Sequence, residues 1–357
     1  MKDLELIRET LSAAPPSARA TVQARNRLTA AIEGRRSPNR ARRWVAAGAG
    51  ALASFAVLAI LLASYGERPG PQADPSEASA QDILLAAATQ AVSRTETGRY
   101  WRVRTISVAG PIRVGEAPNA YDIVDRSVDE RWIARDPSGT SWIGSRDLGC
   151  RPRSEADERA WRAAGSPAHW DFKADSESGS VRYSTAPGKG RLERLDSTHS
   201  DSRVLGIRAS ELPADPDELR ALIAGSIAAG PDGFAPGTSG SEILLFGAMS
   251  QLLVEVPATA AVRAAAFTVL AGISGIRSTG AVKDDEGRTG VGIELVRESP
   301  DYVETHQLVV DPTTYLIMAR SSTGIPAGAG EKRPVKEQRR VILEAGWTDE
   351  KPERPQD

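Results

Sequence analysis

Few side chains in this sequence are of types that do chemistry, and their spacing decides what they can do. The histidines are His169, His199 and His306, and the one cysteine is Cys150. A single thiol excludes an intrachain disulfide, and histidines this scattered do not match the ligand spacing of a zinc cluster. His306 alternates with Leu308 and Val310. That period-2 pattern places it on a strand face, as a core residue rather than a ligand. "KDDEGR" (283–288) gathers acidic side chains in a short run. It lacks the alternating D-x-D-x-D-G ligands of a calcium loop and reads as a hairpin turn. Asp125 and Asp129, in "DRSVDER" (125–131), stand four apart and so share one side of a strand. Paired carboxylates can do acid–base work, but no third group is identifiable beside them, and a polar strand face is the better reading. No nucleophile elbow, phosphate-binding loop, dinucleotide fingerprint or H-E-x-x-H occurs. We therefore expect no catalytic, cofactor-binding or metal residue, and no enzyme. An extracytoplasmic hydrolase has no motif to support it.

The elements that would position such side chains are legible in the pattern. "DILLAAATQAVSR" from Asp82 reads as a helix. "YWRVRTISVAG" and "YDIVDRSVDERWIARDPSGTSWIGSRD" read as strands, the second holding a turn at "DPSGT". From Cys150 to Arg203 the chain turns polar, and we expect a long excursion with a short helix near 155–164. Trp161 and Trp170 fall inside it; ordinary packing explains them better than a surface for lipid or protein. "LPADPDELRALIAGSI", "SEILLFGAMSQLLVEV" and "PATAAVRAAAFTVLAGI" make three helices. Pro216 and acidic residues open the first, and Gly272 closes the last. Two hairpins follow, over "DDEG" and "DPTT", and "QRRVILEAGWT" is a last strand. Helix, antiparallel strands, three helices and antiparallel strands again predict an α+β domain, with a curved antiparallel sheet and helices packed on one side.

Charge divides the chain. Residues 1–43 carry ten Lys/Arg against four Asp/Glu; with 45 and 47 in the whole chain, residues 44–357 carry 35 against 43. Between this basic head and acidic body lies "WVAAGAGALASFAVLAILLASY", Trp44 to Tyr65, with no charge. Its 22 residues span about 33 Å as a helix, enough for a hydrocarbon core near 30 Å. Aromatic rings stand at both ends, where headgroups favour them. A cleavable signal peptide fits poorly, because 43 residues precede the run and the apolar core exceeds the usual length. Arg35, Arg36, Arg40, Arg42 and Arg43 flank its front, while Glu67, Asp74 and Glu77 follow it. The positive-inside rule then puts residues 1–43 in the cytoplasm and the body outside the plasma membrane. Ala46, Gly50 and Ser54 form a small-xxx-small row, which general alanine richness explains better than helix pairing.

The expected organisation is a cytoplasmic basic helical head (1–43), a transmembrane helix (44–65), a linker (66–81), an extracytoplasmic α+β domain (82–348) and a disordered tail (349–357). Within the head, residues 3–12 and 17–33 read as short helices separated by Pro15-Pro16. So short a segment cannot bury a core of its own. Two readings stay open: a solvated tail against anionic lipid, or a segment that orders on a cytoplasmic partner.

The chain resembles a family of single-pass membrane proteins of actinobacteria, often encoded beside extracytoplasmic-function sigma factors. The resemblance covers nearly the whole chain. It rests on the basic head and anchor, "LPADPDELRALI" (212–223), "PATAAVRAAAFTVLAGISGI" (257–276) and the hairpin "VVDPTTYLIMAR" (309–320). The family usually has glycine where this chain has Tyr315. The outer layout is similar to the lipoprotein-carrier half-barrel, which sensor partners of membrane-bound anti-sigma factors also use. None of these motifs is catalytic. The resemblance implies a regulatory role, with a sigma factor as partner of residues 1–43, a lipid or protein ligand outside, no cofactor and no direct nucleic acid. The alternative is a tethered carrier or binding module for a lipid or other hydrophobic ligand.

Overall fold

The computed structural model describes residues 79–94, 96–173, 180–195, 203–231, 233–327 and 334–356. All lie in the compact unit Gln72–Asp357. The expected head, membrane span and most of the linker fall outside them. Among the described residues no helix is long and apolar enough to cross a membrane.

The unit is α+β, built on a large antiparallel sheet. β1 (Tyr100–Val114) and β2 (Tyr121–Ala134) form the longest pairing, and β3 (Trp142–Asp147) continues it. Late in the chain β10 (Arg277–Lys283), β11 (Thr289–Glu298), β12 (Tyr302–Val310), β13 (Ile317–Pro326) and β14 (Lys336–Thr348) form a meander. β14 pairs with β1, so the order is β10-β11-β12-β13-β14-β1-β2-β3-β7, with β7 at Arg191–Arg194. The sheet coils far enough that Arg288, at the β10–β11 turn, donates to the carbonyls of Met318 on β13 and Ile342 on β14.

Four helices carry the core. α1 (Ala80–Ser93) starts two residues before the expected Asp82, because Ser79 caps it by accepting from the Asp82 amide. α3 (Pro216–Ala228) has Pro216 in its first turn and Asp215 as cap, accepting from the amides of Asp217 and Glu218. It buries Leu219, Ile223 and Ile227, one stripe at spacing four. α4 (Ser239–Glu255) has no polar stripe and is buried nearly all round. α5 (Ala260–Ala271) is capped by Thr259 and ends at Gly272. One core cluster joins these helices to Trp101, Val103, Ile133, Ile293, Leu308 and Ile342 from five strands. Alternation along each strand supplies that face.

Two expectations are corrected. The stretch 150–203 is not simply a polar excursion. It holds the short helix expected there, α2 (Glu155–Ala163), and beside it β4 (Arg151–Pro152), β5 (His169–Lys173) paired with β6 (Ser180–Ser184), and β7 in the main sheet. The next pairing, β8 (Arg203–Val204) with β9 (Ile207–Arg208), follows it. Trp170 is buried with Tyr121, Ile123 and Cys150, and its indole N–H donates to the Tyr121 hydroxyl at 2.9 Å. A few aromatic rings bury enough area to hold a polar sequence in place. Residues 349–356, expected as a disordered tail, lie along the sheet. Pro355 is buried in a slot that exists because Gly144 and Gly190 have no Cβ: one built at Gly144 would stand 2.9 Å from the proline ring.

The turn "DPTT" forms as expected between β12 and β13. The Asp311 carboxylate accepts from the amides of Thr313 and Thr314. Burial raises the Asp311 pKa, and these two amides and the Thr314 side chain more than offset that, leaving it below its ordinary value. Tyr315, where the resembling family usually has glycine, takes the left-handed conformation at φ 55° that glycine adopts most easily.

Candidate functional site

Two apolar helices, α4 and α5, each bury a charged side chain where they meet the sheet. α4 closes on Glu255, whose carboxylate is 10% exposed. The guanidinium groups of Arg320 on β13 and Arg340 on β14 both bond one of its oxygens, Arg340 at 2.5 Å. Arg131 on β2 lies 3.7 Å from the other oxygen. Arg320 and Arg340 are paired across the β13–β14 ladder, so register alone brings them together. Burial lowers the Arg320 pKa even though Glu255 favours its charged form. The result is a clamp joining α4 to strands far apart in the chain.

The second site is a recess of about 110 Å³ where the ends of α1, α4 and α5 meet β1, β13 and β14. Arg263, the one charged residue of α5, is buried there. It donates to the Ala258 carbonyl at 2.6 Å and is ion-paired with Glu96. Its plane lies 5.2 Å from the Trp101 ring. Arg94 lines the same recess and donates to the Thr314 carbonyl. Burial first, and then the neighbouring Arg94 charge, push Arg263 down to about 10; burial also lowers Arg94. Trp101 and Trp347 meet edge to face with centroids 5.6 Å apart. The Trp101 indole N–H donates to the Val254 carbonyl, whereas the buried Trp347 Nε1 has no hydrogen-bond partner among the described residues. A buried donor left unpaired costs about 1–3 kcal/mol.

A third polar surface lies under residues 349–356. Arg102 reaches Glu130 at 2.5 Å, Glu344 at 2.6 Å and Glu350 at 2.7 Å, and stacks 4.5 Å from the Trp132 ring. The adjoining groove, about 490 Å³, is lined mainly by charged side chains of this tail and of β1 and β2.

The residues singled out from sequence do not converge on any of these sites. His306 sits beneath α4, edge to face with Phe246, and its Nε2 contacts the Glu304 carboxylate at 3.0 Å. That hydrogen bond, with the nearby charges, holds Glu304 below its ordinary pKa. Asp129 accepts from the Ser107 and Ser127 hydroxyls, while Asp125 faces the Cys150 thiol at 3.6 Å, so the two aspartates serve different neighbours. Burial, then Asp125, pushes Cys150 up to about 12. Asp284 organises its turn by accepting from the amides of Glu286 and Arg288 and pairing with the Arg288 side chain, and Asp285 pairs with Arg339. Trp161 is half-buried and donates to the Pro167 carbonyl. Among the described residues no group of three or more His, Cys, Asp or Glu could hold a metal ion.

Sequence reasoning missed Glu255, Arg263 and their partners. A signal was present: Arg263 is a lone charge in a helix otherwise free of charge, and Glu255 ends an uncharged run of twelve residues. Such charges need partners when the helix is buried. No family model, curated protein or solved structure matches the chain.

Proposed function

We propose that this chain is a single-pass membrane protein of regulatory function. Residues 44–65 anchor it, residues 1–43 face the cytoplasm, and the α+β domain works on the other side. The observation that carries this reading is the uncharged run Trp44–Tyr65 behind five arginines. It gives the chain a basic inner segment and an acidic outer body, two parts suited to different partners. The resemblance to proteins encoded beside sigma factors makes a sigma factor the first cytoplasmic candidate. We read the outer domain as a recognition module, because its buried charges among the described residues are engaged in clamps and ion pairs.

Packing argues against the alternative of a hydrophobic-ligand carrier. α4 fills the helix-facing side of the sheet with its own side chains. The recess beside it, about 110 Å³, falls well below the roughly 300–1,000 Å³ of pockets that take larger ligands. The groove under the tail is wider but lined by charge.

Two measurements test the proposal. Reporter fusions at residues 40 and 350 should be active on opposite sides of the membrane; activity on the same side refutes the topology. Purified sigma factors from the neighbouring genes should bind the full chain in detergent and lose that binding on deletion of residues 1–43. Failure of each of them to bind refutes the regulatory role.

A further inference from the structure

We propose that the recess between Arg94, Arg263 and Trp347 is a binding site for a small carboxylate with a short apolar body. The first argument is charge. Two guanidinium groups line the recess, and Glu96 is the one carboxylate beside them. Glu96 pairs with Arg263, so the two guanidinium groups leave one net positive charge, set beside an Arg263 side chain only 9% exposed and poorly answered by solvent. An anion seated here completes the pairing that Glu96 begins.

The second argument is the unpaired donor. Trp347 lines the recess, and its buried indole N–H, one of six buried side-chain nitrogens without a partner, has no acceptor among the described residues. Nearly all buried polar groups find partners, and a ligand oxygen that displaces the atoms now covering Nε1 would supply one. Arginine forks match the two coplanar oxygens of a carboxylate, and Arg263 has engaged two of its five donors with Ala258 and Glu96.

The third argument is the wall. Leu253, Phe267 and Ile317 face the same space. They suit a short hydrocarbon body and offer nothing to the hydration shell of an inorganic anion. About 110 Å³ admits a ligand of a few heavy atoms, the size of propionate, and excludes an acyl chain. This assignment stands apart from the topology and from any cytoplasmic partner.

The test uses the full chain in a non-ionic detergent at constant chloride. Propionate is titrated while tryptophan fluorescence and saturation-transfer NMR of the propionate protons are followed. Phosphate and propylamine serve as the other probes. Propionate should bind saturably, with a Kd on the order of 1 mM for so small a ligand. Arg94→Gln, at a half-buried position, should weaken it about tenfold by removing a charged donor. Trp347→Phe keeps a ring and removes the indole donor, and should weaken it about fivefold. Propylamine and phosphate should give no saturable change. The proposal is overturned if propionate shows no saturation, if phosphate binds as tightly, or if both folded variants bind like the wild type. Should Arg94→Gln fail to give the wild-type circular dichroism spectrum, the Trp347→Phe result decides alone.

Discussion

Replacing Glu255 by glutamine tests whether the clamp under α4 holds the helical layer to the sheet. The substitution keeps the shape and removes the charge that three arginines share. Arg320 then suffers most, since its side chain is 20% exposed and its ladder partner Arg340 carries the same charge. Breaking a buried pair by removing one member costs about 3–5 kcal/mol. Two effects reduce that here. Arg340 and Arg131 are 46% and 31% exposed, so water screens part of the loss. Glu255 is also the last residue of its helix, where the dipole disfavours a carboxylate by about 0.3–1 kcal/mol. The expected destabilisation is therefore about 2–3 kcal/mol. For a unit of this size that is a fall in Tm of roughly 5–10 °C.

Urea unfolding of the full chain in detergent, followed by tryptophan fluorescence, measures it. A second variant separates the clamp from ordinary packing. Adding Arg320→Met to Glu255→Gln removes the stranded charge and leaves an apolar side chain in its place. Replacing both members of a buried pair is often neutral, so the double variant should recover most of the loss. A Glu255→Gln chain within about 0.5 kcal/mol of wild type, or a double variant less stable than the single one, would refute the reasoning.

Three further outcomes are expected. Tyr315→Gly should melt at higher temperature than Tyr315→Ala, by the equivalent of about 1 kcal/mol, because the position is left-handed and the lost ring contacts are common to both; equal melting temperatures would count against strain. The folded-state pKa of Glu304 lies below its ordinary 4.5, so its contribution to stability is present above about that pH and is lost as pH falls through the lower folded value. His306→Ala removes the leading cause and should flatten this part of the acid limb in Tm against pH. Cys150, 5% exposed and pushed up to about 12, should stay unlabelled by a maleimide at pH 8 in the folded chain and react on unfolding in urea; rapid stoichiometric labelling of the folded chain would contradict its burial.

Local order was largely legible. Pro216 behind Asp215, Gly272 after α5 and the turns at 283–288 and 311–314 are short-range signals, each acting within one turn of chain. Alternation of Trp101 and Val103 with Arg102 and Arg104 likewise announced which side of the start of β1 faces the helices, whereas past the bulge at Arg104/Thr105 Ile106 and Val108 join a second cluster. The misreadings have a different physical origin. Residues 150–203 look solvated because most of their side chains are polar, yet Trp170, Phe172 and Tyr183 gather on Tyr121 and Ile123 from the far end of β1–β2. Residues 349–356 hold no apolar run, and Pro355 is seated by two glycines more than 160 residues away in the chain. In both cases a few contacts of high sequence separation outweigh composition, and no local window contains them.

The buried charges follow the same logic, and they explain how the two halves of the domain are joined. α4 and α5 carry buried charges of opposite sign, and each is answered from another element: on α4, Glu242 by Arg220 of α3 and Glu255 by β2, β13 and β14; on α5, Arg263 by Glu96 in the segment leading into β1. Apolar packing alone would let these helices slide on a coiled sheet, since hydrophobic contact is non-directional. Directional ion pairs at both helices remove that freedom. The two anchors differ in how their spare charge is met. At Glu255 the surplus arginines reach solvent, whereas Arg263 is enclosed beside Arg94 and an unpaired indole. An enclosed surplus of positive charge next to an apolar wall is what distinguishes a binding recess from a structural clamp. The same chemistry therefore fastens the fold at one helix and leaves room for a ligand at the other.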